Sequence, residues 1–207
     1  RLFSKDLTDL LHYFALNNDQ AEATLRITLL KYLFYKFLHL RNNNTKTQSK
    51  KNISYHYDLG NEFYKLWLDK TMTYSSAIFS KQNKNLEEAQ IQKYSKLADL
   101  AAIKKGDKIL EIGCGWGGFS EFLAKNYDCD ITAITISKEQ FNYSLKRIKK
   151  AKLDKKVSVN YCDYRNVNGK FDKILSIEMF EVVGEKYWET FFKKLKSILN
   201  PNGIIGL

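Results

Sequence analysis

Residues Lys108–Phe119 read KILEIGCGWGGF, an apolar run that breaks into Gly113, Gly115, Gly117 and Gly118 before an apolar-periodic stretch reaching Asn126. The run predicts a buried strand, the glycines a tight turn and the sequel a helix. Glycine adopts positive φ freely and lets backbone come close to a ligand. A helix that starts there presents unpaired N–H groups in its first turn. Gly113, Gly115 and Gly118 satisfy the GxGxxG spacing of a nucleotide-binding crossover.

Outward from this turn the chain alternates strand and helix. Lys108–Ile112, Ile131–Ile136, Val157–Val159 and Phe171–Ile177 predict strands, and Gly203 onward begins another. Gly118–Asn126, Lys138–Lys152 and Tyr187–Leu199 predict helices between them. Such alternation builds a doubly wound, Rossmann-like α/β sheet with helices on both faces, here over residues 104–207. Upstream, Leu86–Ala101 predicts a helix, and residues 52–80 are dense in Tyr, Phe and Trp; together residues 52–103 form a segment over the site. Residues 1–51 read as a helical N-terminal segment. Its first helix runs from Asp6–Leu7 to Leu16, and a second from Ala21 towards Leu40 spreads its charges in several directions. A basic linker, RNNNTKTQSKK (41–51), closes it.

The 207 residues carry 34 Lys and Arg against 23 Asp and Glu, a formal charge of +11 that favours polyanions, either nucleic acid or an anionic membrane surface. Cys114, Cys129 and Cys162 form no CxxC pair, and His12, His39 and His56 lie far from them in sequence. Neither a disulfide framework nor a zinc site is expected, so no metal is assigned and reduced cysteines point to a cytoplasmic setting. Ile27–Leu40, the longest apolar stretch, is interrupted by Lys31, Lys36 and His39 and falls short of the ~20 residues a spanning helix needs. With Arg1 in place of a methionine and a last strand just begun at Leu207, the sequence reads as a fragment, truncated at its C-terminus.

Two features decide which nucleotide the turn holds. A nicotinamide fold expects a carboxylate at the end of the second strand for the ribose 2′-OH, but here that strand ends Thr135-Ile136-Ser137. Glu111 instead lies two residues before Gly113, and the Glu-x-Gly-x-Gly-x-Gly pattern resembles motif I of the S-adenosylmethionine (SAM) dependent methyltransferases. That resemblance implies a turn wrapped around the methionine part of SAM, with Glu111, Gly113, Gly115, Gly117, Thr135, Ile136 and Gln140 as cofactor-binding candidates. Asp163, after the third strand, matches the position that contacts the adenine amino group. Pro201, followed by Asn202, is the sole proline, so neither the Pro-Pro-aromatic motif of amino-methylating DNA enzymes nor the Pro-Cys of cytosine-C5 enzymes occurs. No nucleic-acid partner is assigned.

A longer series of motifs resembles the cyclopropane-fatty-acyl-phospholipid synthases and the related mycolic acid cyclopropane synthases. It comprises His56-Tyr57-Asp58-Leu59-Gly60-Asn61, Thr73-Tyr74-Ser75-Ser76-Ala77, Leu86–Gln90, Glu111–Gly118, Ile134–Gln140, Asp163-Tyr164-Arg165 and Met179-Phe180-Glu181. The resemblance implies methylene transfer from SAM to the cis double bond of an unsaturated phospholipid, by an enzyme peripherally bound to the inner membrane face. It implies catalytic roles for Glu181, Ser76 and Tyr57, a bound bicarbonate as base held partly by Glu181, and Tyr74 and Ser75 reaching over SAM. Ser76 stands where many members have Cys, and Val182 where they have His. These departures leave open methylation of a fatty chain without ring closure, or of a small-molecule nitrogen or oxygen. A basic, non-catalytic domain is the third reading. The same resemblance implies that two strands of a seven-stranded sheet lie beyond Leu207, and that residues 1–207 alone are inactive or poorly folded.

Overall fold

The computed structural model of the chain describes residues 6–17, 60–81 and 85–207. The chain divides into two compact units, Arg1–Asn43 and Asn44–Leu207. In the first, helix α1 (Leu7–Leu16) begins where its sequence predicts, because the Asp6 carboxylate accepts hydrogen bonds from Thr8 N (2.7 Å) and Asp9 N (3.4 Å). Those two bonds satisfy donors that have no intrahelical partner. The helix expected between Ala21 and Leu40, the linker and Tyr57 lie outside the described residues, as does the apolar stretch Ile27–Leu40. Among the described residues no helix is long and apolar enough to cross a membrane.

The second unit is built on five parallel strands, β1 (Lys108–Ile112), β2 (Asp130–Thr135), β3 (Val157–Tyr161), β4 (Phe171–Leu175) and β5 (Leu199–Gly206), in the order β3-β2-β1-β4-β5. Helices α2 (Gly60–Lys65) and α3 (Leu86–Leu100) precede the sheet, and α4 (Gly118–Asn126), α5 (Lys138–Lys150) and α6 (Trp188–Ile198) connect its strands. Side chains alternate across each strand. On one face Ile109, Ile131, Ala133, Val157 and Val159 pack with Tyr94, Phe119, Leu123 and Ile148 from α3, α4 and α5. On the other, Leu110, Ile112, Ile134 and Ile174 meet Phe191, Leu195 and Ile198 of α6. Helices therefore cover both faces, the doubly wound arrangement that the alternation predicts.

Several element ends shift by one or two residues from the sequence reading, and three differences alter the local structure. α2 forms inside the aromatic run, with Tyr64 buried and Glu62 paired to Lys65 (2.6 Å). α5 stops at Lys150, two residues early, and Lys152 takes φ +59° in the turn that follows. β5 begins at Leu199 rather than Gly203. Leu199 pairs with Phe171, the register shifts through the turn that puts Asn202 at φ +62°, and pairing resumes at Ile204 opposite Lys173.

The strand order places the chemistry. From β1 the chain moves to β2 and β3 on one side and to β4 and β5 on the other, so the crevice beyond the carboxyl ends of β1 and β4 is a topological switch point.

Candidate active site

A cavity of about 800 Å³ opens at that switch point, within the size range of small-molecule sites. Its floor is the glycine turn. Gly113, Gly115 and Gly117 have φ of +78°, +54° and +80°. A side chain at Gly113 would strike Met179 (Cγ 2.9 Å from the added Cβ), and one at Gly118 would strike the Thr71 carbonyl (2.6 Å). The turn is pinned to β2, with Gly113 N and Cys114 N each donating to Ile134 O at 3.0 Å. Gly113, Gly115 and Gly118 line the cavity, whereas Gly117 does not. Gly117 caps α4 and is packed against Ser144, whose hydroxyl donates to Gly115 O at 2.9 Å.

Glu111 reaches the cavity from β1 yet is almost wholly enclosed, and it accepts a hydrogen bond from the Ser120 hydroxyl. Burial pushes its carboxyl up to about 7, against the opposing effect of the Ser120 bonds. Beyond β2, the Thr135 hydroxyl donates to Gln140 Oε1 (2.9 Å), and the Ser137 side chain caps α5. Thr135, Ile136 and Gln140 line the cavity, whereas Ser137 does not. Asp163, after β3, is 3% exposed and gripped by Arg165, with Nε to Oδ1 at 2.9 Å and Nη2 to Oδ2 at 2.6 Å. The carboxylate past β3, together with its absence at the end of β2, fits the adenosine end of SAM better than a nicotinamide dinucleotide. The enclosed Glu111 beside a bare-backbone turn fits SAM's cationic methionine end.

The roof is the segment Leu68–Ser76. Arg147 of α5 donates to the carbonyls of Thr71 (2.6 Å), Lys70 (2.6 Å) and Trp116 (3.1 Å), and pairs with Glu121 (2.8 Å). The Asp69 carboxylate accepts from Thr71 N (2.8 Å), and the Thr73 hydroxyl bonds to the Tyr94 hydroxyl. Tyr74 packs on Tyr64 (5.5 Å between centroids) and Trp67 (5.4 Å), and Trp116 closes the group against Tyr64 (4.9 Å). The Trp116 indole N–H donates to Asn61 Oδ1 at 2.6 Å.

Sequence reasoning missed the polar group at one end of this roof. Gln90 Nε2 donates to Ser75 O (2.8 Å), while Lys93 Nζ donates to Ser75 Oγ (2.5 Å) and Ser76 O (2.6 Å). Ser76 in turn donates from its backbone N (2.7 Å) and its hydroxyl to Glu178 Oε1. Burial lowers Lys93 to about 8, opposed by the charges of Glu178 and Asp69. Glu178 lines the cavity with Tyr74, Ser75 and Ser76. Glu181, three residues further on in the 3₁₀ turn Phe180–Val182, is exposed and is not among the lining residues. The signal for Lys93 was its place one helical turn after Gln90, on the face of α3 that meets the roof. Glu178 had no signal of its own. Among the described residues no cluster of His, Cys, Asp and Glu is arranged to hold a metal ion.

The parallel sheet, the glycine turn after β1 and the Glu111 and Asp163 carboxylates define the class: the chain has the fold of a SAM-dependent methyltransferase. Residues 44–207 match the family described as mycolic acid cyclopropane synthetase, and the chain belongs to that family. It is 39% identical over 167 residues to the probable fatty acid methyltransferase of Pseudomonas putida, covering 80% of this chain and 42% of that protein. It is 41% identical over 152 residues to the cyclopropane-fatty-acyl-phospholipid synthase of Escherichia coli K12, covering 73% and 38%. Among solved structures it resembles the mycolic acid cyclopropane synthase CmaA1 complexed with SAH and CTAB. There the TM-score is 0.72 at 30% identity, covering 75% of this chain and 55% of that one. The chain thus spans about two fifths of the length of these two curated relatives.

Proposed function

We propose that the protein carrying this chain transfers a one-carbon unit from SAM to the cis double bond of an unsaturated phospholipid acyl chain, closing a cyclopropane ring. One observation carries this reading. A single cavity joins the glycine turn to an apolar wall of Leu68, Met72, Leu86, Ile177, Met179 and Val182. An acceptor that meets such a wall is a hydrocarbon rather than an amine or alcohol. SAM supplies an electrophilic methyl group when bound. Gly113, Gly115, Thr135, Ile136 and Gln140 hold it, with Glu111 at the methionine end and Asp163 at the adenine end. Tyr74 and Ser75 cover it.

An alkene is a weak nucleophile, so the chain's contribution is alignment and the exclusion of water, which would trap a cationic intermediate. Trp67, Tyr74 and Trp116 line the cavity around the buried Tyr64 and stabilise positive charge through ring faces that do not attack it. Peripheral binding to an anionic membrane belongs to the same reading. The charge of +11 attracts such a surface, and Leu66 (82% exposed) and Trp67 (48% exposed) offer apolar surface beside the cavity.

The experiment is to incubate the full-length protein with SAM and vesicles of unsaturated phospholipid, then analyse the acyl chains by mass spectrometry and NMR. A product heavier by one CH2 and lacking the alkene is expected. The Pseudomonas putida relative, with Ser76 and Val182 in this chain, favours a second reading in which a fatty chain is methylated without ring closure. A methyl branch without cyclopropane protons decides for it, and an N- or O-methyl product rejects both.

A further inference from the structure

Glu178 is placed by its backbone. It stands three residues beyond the end of β4 with φ +46°, the left-handed region that a residue with a side chain rarely enters. That conformation carries its carboxylate across the cavity mouth to Ser76, 102 residues away in sequence. There Oε1 accepts both the Ser76 N–H and the Ser76 hydroxyl, while Oε2 takes no hydrogen bond from the described residues. On the far side of Ser76, Lys93 Nζ holds the Ser75 hydroxyl and the Ser76 carbonyl. A carboxylate lining the cavity, with one oxygen anchored and the other open, has the geometry of a base.

We propose that Glu178 is a proton acceptor built into the chain, taking the proton released when the transferred carbon closes its ring, with Ser76 and Lys93 as positioning residues. This rests on the proposed function above. In the step, the alkene π pair forms a C–C bond to the sulfonium methyl while the S–C bond breaks, its electron pair remaining on sulfur. A carbocation is left on the neighbouring carbon. One C–H bond of the new methyl group then breaks, its electrons form the second C–C bond of the ring, and the proton passes to Glu178 Oε2. If the ring does not close, a C–H bond on a carbon adjacent to the cation breaks instead, its electrons form a new alkene, and that proton too needs an acceptor. A bicarbonate base held partly by Glu181, which lies outside the cavity lining, would then be dispensable.

The test uses the full-length protein with SAM and unsaturated phospholipid vesicles, in buffer freed of carbon dioxide. Wild-type turnover is expected to change less than about twofold when bicarbonate is restored. Glu178→Gln should lower kcat by about 10²-fold with KM for SAM within about threefold of wild type, and with an unchanged circular dichroism spectrum. Glu178→Ala should recover at least tenfold of its loss on addition of formate or bicarbonate. Collapse of wild-type turnover without bicarbonate overturns the proposal. So does Glu178→Gln turning over within about threefold of wild type, or a Glu178→Ala loss that no carboxylate relieves. A wild-type enzyme that forms no lipid product overturns the proposed function and this inference together, whereas active wild type with indifferent Glu178 variants overturns the inference alone.

Discussion

Glu111 on β1 and Ser120 on α4 share a hydrogen bond from which water is excluded, Glu111 being 4% exposed and Ser120 not at all. The carboxyl is raised from 4.5 to about 7 by burial. Between those values the folded chain binds a proton that the unfolded chain gives up. The stability contributed by Glu111 is therefore complete below pH 4.5 and is lost as pH rises through about 7. Cofactor binding runs the other way, because a cationic ligand needs the ionised carboxylate. The SAM dissociation constant should weaken about tenfold from pH 8 to pH 6, as read by calorimetry. Glu111→Gln should bind weakly with no such slope, and a wild-type affinity flat across this range would remove Glu111 from the site.

Arg147 forks into three backbone carbonyls and the Glu121 carboxylate. Its loss strips the Lys70 and Thr71 carbonyls of their guanidinium donor and leaves Glu121 with Lys125, at a cost of about 1–3 kcal/mol. Arg147→Ala should lower the melting temperature by several degrees and raise KM for SAM, because the roof segment loses its tie to α5. Arg147→Lys should restore little, since a lysine lacks the planar fork. Thermal denaturation with and without SAM reads both effects.

Gly118 lies under the Thr71 carbonyl and the Tyr94 hydroxyl, which a Cβ would meet at 2.6 and 2.8 Å. Gly118→Ala should destabilise by about 1–3 kcal/mol, the usual cost of overpacking, and loosen SAM binding by displacing the roof. An alanine variant with wild-type melting temperature and affinity would contradict that close approach.

Leu66 and Trp67 stand exposed beside the cavity. If they enter the bilayer surface, Leu66→Asp should weaken binding to anionic vesicles by about tenfold or more while leaving SAM affinity unchanged. Cosedimentation measures the first and calorimetry the second. Equal vesicle binding by both proteins would place the membrane contact elsewhere.

Much of the architecture is readable from local pattern. β1, α4 and the turn between them announce themselves through an apolar run, glycines and a helical stripe within one short window. α2 escapes because six residues span less than two turns, too few for a period to emerge from an aromatic-rich run. The early start of β5 escapes because Asn200-Pro201-Asn202-Gly203 has the chemistry of a turn, and only pairing with Phe171 draws Leu199 into the sheet. The cofactor side of the site is legible for the same local reason, its residues following directly from strand ends. The Ser76–Glu178 contact is not. It depends on the left-handed backbone of one residue and a contact across more than a hundred others, neither of which has a sequence period. Lys93 is one cation among 34 Lys and Arg residues until α3 is laid against the roof.

In the parallel sheet, the residues that fill the interior come from the middles of the strands, while those that face the cavity come from the strands' carboxyl ends, the segments after them and the roof. Evolution can therefore exchange one rim for another, altering which acceptor is admitted, while the packing beneath is inherited intact.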